Sequence, residues 1–159
     1  MKILIDNGHD IDTKGKRSPD GQLLEYAQNR LLVGRIVSAL QARGMDASLL
    51  VPEETDIPLP ECCRRVNEWC RQLGKDNILL ISIHCNVAGR GNTRVHLPGH
   101  RLRTDYTDTV PDQEAGFYLL RHTMAPAVLV ENLFMDNPTD CAFLLSEEGQ
   151  QSLVDLDCH

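Results

Sequence analysis

The run Asn77-Ile78-Leu79-Leu80-Ile81-Ser82-Ile83-His84 does most to limit the folds open to this chain. A strand whose apolar side chains point both ways must be covered on both faces. Parallel sheets with helices packed above and below meet that condition. The rest of the sequence supplies matching parts. Lys2 to Asp6 is a second run rich in Ile and Leu, closed by Asn7-Gly8, and it reads as a buried strand entering a turn. Leu23 to Arg43 reads as a helix with an apolar stripe of Leu32, Ile36 and Leu40, with Val33 and Val37 alongside, and a stop at Gly44. Ala47 to Val51 is a further strand candidate. Glu61 to Leu73 is a helix with Cys62, Val66, Trp69, Cys70 and Leu73 on one face. Phe117 to Leu120 reads as a short strand and Ala127 to Glu131 as a clear one. Ser146 is placed to cap a last helix, with Glu147 and Glu148 in its first turn. Strands alternating with helices predict an α/β domain with a mostly parallel sheet flanked by helices. The 159 residues suit one domain spanning 1–159, without an internal repeat or a linker.

Charge narrows the partners. The formal charge of −7 argues against nucleic acid and anionic membranes, which recruit basic surfaces. No apolar run approaches the roughly 20 residues of a membrane helix. The start, Met1-Lys2-Ile3-Leu4-Ile5-Asp6, turns polar too soon for a secretory signal, so synthesis in the cytoplasm is expected. The six cysteines include no CxxC pair and are expected to be free thiols serving as small buried hydrophobes, with no chemistry of their own.

The polar residues fall in a pattern. Three predicted strands end at His9, His84 and Glu131. In open α/β sheets ligands bind outside the carboxyl ends of strands, so these side chains are expected at one edge. Glu25 opens the first helix on the same face as Leu32 and Ile36, the face turned to the sheet. A carboxylate there needs a positive partner, and a metal ion would be one. Two histidines and one carboxylate with an open fourth position form a catalytic zinc set, and zinc lowers the pKa of bound water to roughly 7. Glu131, after the apolar Ala127-Val128-Leu129-Val130, is the remaining candidate for moving the proton, its pKa raised by that setting. Each residue also has a simpler role: His9 in a turn, His84 on a backbone group, Glu25 at a helix start and Glu131 as a loop cap. The coincidence of all four at matching element ends sets the metal reading level with these simpler roles. A phosphate loop between Gly8 and Gly21 is disfavoured, because neither GxGxxG nor GxxxxGK[ST] is present.

Several segments resemble the zinc-dependent N-acetylmuramoyl-L-alanine amidases of the Amidase_3 family. They are Ile3 to His9 (ILIDNGH), Leu24-Glu25, Ile57 to Asn67, Leu79 to Asn86 (LLISIHCN) and Leu119 to Asn137 (LLRHTMAPAVLVENLFMDN). The resemblance implies a twisted, mostly parallel sheet and a peptidoglycan hydrolase. Such an enzyme cuts the amide between the lactyl group of N-acetylmuramic acid and L-alanine of the stem peptide. His9, Glu25 and His84 match the zinc ligands of the family and Glu131 its catalytic glutamate. The substrate would be peptidoglycan or a muropeptide, met in the cell wall after release, as for a prophage or wall-remodelling enzyme of the endolysin kind.

The sequence departs from the family between His84 and the last strand, where the segment around Gly89 to Arg94 looks shortened. That departure leaves a sheet edge a homodimer could bury. It also leaves open an alternative, a weak or inactive zinc-containing protein that binds muropeptides or regulates. Arg101, Arg103 and Arg121 suit stem-peptide carboxylates or a plain surface role. His96 and His100 read as solvated loop histidines, since Pro98 and Gly99 exclude a helical pair.

Overall fold

The computed structural model describes residues 1–9, 11, 13, 15–55, 57–87 and 118–158. Four strands, β1 (Lys2–Asp6), β2 (Asp46–Leu49), β3 (Ile78–Asn86) and β4 (Ala127–Phe134), form one sheet in the order β2-β1-β3-β4. Every pairing is parallel. Helices α1 (Glu25–Ala42) and α2 (Leu59–Leu73) make the first two crossovers, a 3-10 turn (Lys75–Asn77) leads into β3, and α3 (Tyr118–His122), α4 (Pro138–Leu145) and α5 (Glu147–Asp157) complete the described α-helices. The α/β architecture expected from the sequence is therefore the one observed.

The pleat explains the two cores. Ile3 and Ile5 of β1 pack with Leu32, Val33, Ile36 and Leu40 of α1 and with residues of α4 and α5. Leu4, between them, points the other way and packs with Cys62, Val66 and Cys70 of α2. β3 divides likewise, Ile83 joining the first cluster and Ile78 and Leu80 the second. All six cysteines are buried thiols outside any disulfide. No described helix is long and apolar enough to cross a membrane.

The structure corrects one element and adds another. Tyr118–His122 is a helical turn rather than part of a strand. Its Leu119 is buried against the α2 cluster, and a four-residue apolar run cannot distinguish the two states by periodicity. α4 was not expected. Asn137 caps it by accepting from the amides of Thr139 and Asp140, and Pro138 opens it. The shortened segment falls on residues 88–117, outside the described residues.

Topology positions the site. The first crossover places β2 on one side of β1, and the second places β3 on the other. The order thus reverses between β1 and β3, and a crevice opens beyond their carboxyl ends.

Candidate metal centre

Past Asp6 the chain turns through Asn7, Gly8 and His9. Gly8 has φ +30° and His9 φ 59°, left-handed values that glycine tolerates and histidine adopts at a cost. Gly8 lies against the His84 ring so closely that a Cβ there would come within 2.4–2.7 Å of three ring atoms. The turn is pinned from α1, where buried Asn29 donates its side-chain amide to the Gly8 carbonyl at 3.2 Å. Glu25 is fully buried at the start of α1, and its backbone N–H donates to the Lys16 carbonyl at 3.0 Å.

The three side chains converge. Glu25 Oε1 stands 3.4 Å from His9 Nε2 and 3.3 Å from His84 Nδ1, and it accepts from the Cys85 backbone N–H at 3.2 Å. The imidazole rings meet edge-on, with centroids 4.9 Å apart. One donor atom from each of His9, Glu25 and His84 lies within 4.8 Å of the others. Ligands about 2.0–2.2 Å from a tetrahedral ion stand roughly 3.3 Å apart, close to the two spacings at Oε1. Glu25 Oε2 is buried without a hydrogen-bond partner among the described residues. An oxygen so placed is costly unless something positive meets it. Lys16 Nζ, at 4.0 Å, is too far to donate. The trio can therefore hold a metal ion.

Protonation suits that use. Burial alone would raise the Glu25 pKa. The His84 hydrogen bond, the nearby His9 and the Cys85 N–H outweigh it, and the carboxyl ends below its ordinary value. Burial pulls His9 below the usual imidazole value, Glu25 opposing, so its neutral form is favoured. Carboxylate and neutral imidazole are the forms a metal requires. Cys85 is the reverse case: burial, with Glu25 and Glu131 nearby, holds its thiol well above the usual range, which disfavours a thiolate ligand.

Glu131 sits on β4 directly opposite His84 in the register. It lines the same cavity of about 530 Å³ as His9, Glu25, His84 and Lys16. Although exposed to that space, its carboxyl is raised above the ordinary value because surrounding protein displaces water, with His84 opposing. Beyond this pair the ladder slips. β4 takes three steps to Phe134 while β3 takes two to Asn86, and Leu133 adopts φ 57°. Bulges of this kind re-aim side chains beside sites.

All four residues singled out by the sequence thus face one cavity. Arg121 is exposed on α3 and is not among the lining residues. His96, His100, Arg101 and Arg103 lie outside the described residues. Sequence reasoning missed Lys16, Gly8 and Asn29. Only the length of the polar loop after His9 hinted at the first.

Residues 99–158 match the family model described as Amidase_3, N-acetylmuramoyl-L-alanine amidase. The chain is 27% identical to N-acetylmuramoyl-L-alanine amidase CwlM of Bacillus licheniformis across 97% of its own length, and it spans 64% of the length of that relative. Among solved structures it resembles an N-acetylmuramoyl-L-alanine amidase from Clostridium difficile 630, with a TM-score of 0.72, 23% identity and coverage of 97% of this chain and 90% of the other. It also resembles the catalytic domain of CwlV, N-acetylmuramoyl-L-alanine amidase from Bacillus (Paenibacillus) polymyxa var. colistinus. There the TM-score is 0.72, with 20% identity and coverage of 98% and 93%. At these identities the two structures speak for the fold.

Proposed function

We propose, from the match of residues 99–158 to the Amidase_3 model and the similarity to an N-acetylmuramoyl-L-alanine amidase along the chain, that this chain is a zinc-dependent hydrolase that cleaves the amide joining the N-acetylmuramic acid lactyl group to L-alanine of the stem peptide. The observation that carries the reading is the meeting of His9, Glu25 and His84, with Glu25 Oε2 buried and without a hydrogen-bond partner among the described residues. Peptidoglycan or a muropeptide is the substrate, and the wall is where the enzyme acts.

His9, Glu25 and His84 would hold the zinc, which when bound supplies a Lewis acid that makes water nucleophilic near neutral pH. Glu25 contributes one negative charge and its burial fixes the donor set before substrate arrives. Glu131, across the cavity, takes a proton from the attacking water as the water oxygen bonds to the carbonyl carbon. The same carboxyl then gives that proton to the departing nitrogen as the C–N bond breaks. The new carboxyl then loses the water's second proton, which the freed amine takes up, so the products are a lactyl carboxylate and an L-alanine ammonium. The raised Glu131 pKa suits a group that must both accept and return a proton near neutrality.

Metal analysis combined with muropeptide digestion tests the reading. Wild type should carry about one zinc per chain and release new L-alanine amino termini. Glu131→Ala should keep its zinc while kcat falls by about 10²–10⁴, the usual contribution of a positioned acid–base. Zinc-loaded protein that leaves muropeptides intact would end the proposal.

A further inference from the structure

Among the described residues lining the cavity, Lys16 is the sole lysine or arginine, set among the carboxylates Asp6, Glu25 and Glu131. Its backbone is held firmly. The Lys16 carbonyl accepts from Glu25 N–H, Arg17 and Leu24 form an antiparallel bridge, and Ser18 N–H donates to the Leu23 carbonyl at 2.9 Å. Leu23 N–H returns a bond to Ser18 Oγ at 3.0 Å, and Ser18 and Leu23 are both buried. The loop thus fixes where the lysine stem departs.

Among the described residues the ammonium has one ion-pair partner, Glu25, too distant to take a hydrogen bond from it. It stands 4.0 Å from Glu25 Oε2 with its side chain 43% exposed, and it carries three donors. A lysine serving only to balance Glu25 would be expected to close on that oxygen. Lys16 instead stays open towards the cavity, and its charge is felt at Glu25, His9 and Glu131 alike. We infer that Lys16 is an anion-binding catalytic residue, whose ammonium donates to the oxygen that becomes negative when an amide carbonyl is attacked beside Glu25 and His84. A donor positioned in advance stabilises developing charge without reorganising during the reaction.

The catalytic part rests on the hydrolase reading, whereas the anion site rests on the geometry alone. The test uses full-length protein loaded with cobalt(II), its visible spectrum titrated with acetate as a carboxylate probe. Lys16→Met should bind cobalt within about twofold of wild type and acetate at least about tenfold more weakly, and Lys16→Arg should restore most acetate binding. With muropeptides, Lys16→Met should lower kcat by about 10²–10³ at nearly constant KM, the effect of removing one such donor. Wild-type acetate binding in Lys16→Met would overturn the inference. So would cobalt affinity falling in step with acetate affinity, which would make Lys16 a mere support for Glu25, or a protein that binds no cobalt. Lys16-dependent acetate binding in an enzyme that spares muropeptides would sustain the anion site and remove the amidase reading.

Discussion

Gly8 shows how little room the centre allows. Its missing side chain is what lets the His84 ring lie against the turn that carries His9. Gly8→Ala should push that ring aside and strain a backbone already at φ +30°. Zinc affinity, measured by competition with a chromophoric chelator, should fall by about tenfold or more, the scale at which groups supporting metal ligands usually act. At this scale the sequence was only partly legible. His84 and Glu131 stood out because an ionisable residue at the end of an apolar strand is conspicuous. Gly8 read simply as a turn residue. Lys16 looked like any lysine in a polar loop, because what aims it is a hydrogen bond to Glu25, nine positions later.

At the level of elements, caps and buried carboxyls make separable contributions. Asn137 caps α4 through two amides, so Asn137→Ala should cost about 1 kcal/mol in urea unfolding and leave zinc content unchanged. α4 escaped the sequence reading because its apolar residues lack a helical stripe, although its Asn-Pro opening was visible. β3 and α1, with strong patterns, were legible nearly to their ends. Asp157, near the end of α5, has its pKa raised to about 6 by burial, the hydrogen bond from Asn132 opposing. Because the folded value exceeds the unfolded one, the protonated acid favours the fold at low pH, and that stability is lost as pH rises through about 6. Asp157→Asn should therefore raise the melting temperature at pH 8 more than at pH 4. The gain is bounded by about 3 kcal/mol, and partial exposure reduces it.

For the molecule as a whole, the proposed ion would tie the turn after β1, the start of α1 and the end of β3 together. Removing it with a chelator should lower the melting temperature and loosen that edge before the α2 side. Restoring zinc at about 1,000 times its Kd should return roughly 4 kcal/mol, seen as a concentration-dependent rise in the melting temperature. Glu25→Gln should abolish that rise. Calorimetry with and without zinc checks both, and a melting temperature indifferent to zinc in wild type would contradict them.

The register that seats Glu131 opposite His84 also divides labour along the chain. His9, Glu25 and His84 all precede residue 87, while the candidate acid, Glu131, lies on β4, the last of the described strands in chain order. The family match at residues 99–158 covers that acid and none of the three other groups. A polypeptide cut short before position 131 therefore keeps every candidate ligand yet lacks the proposed proton carrier. On the proposed roles, ion capture would rest on residues 9 to 84 and bond cleavage on a residue that follows them all.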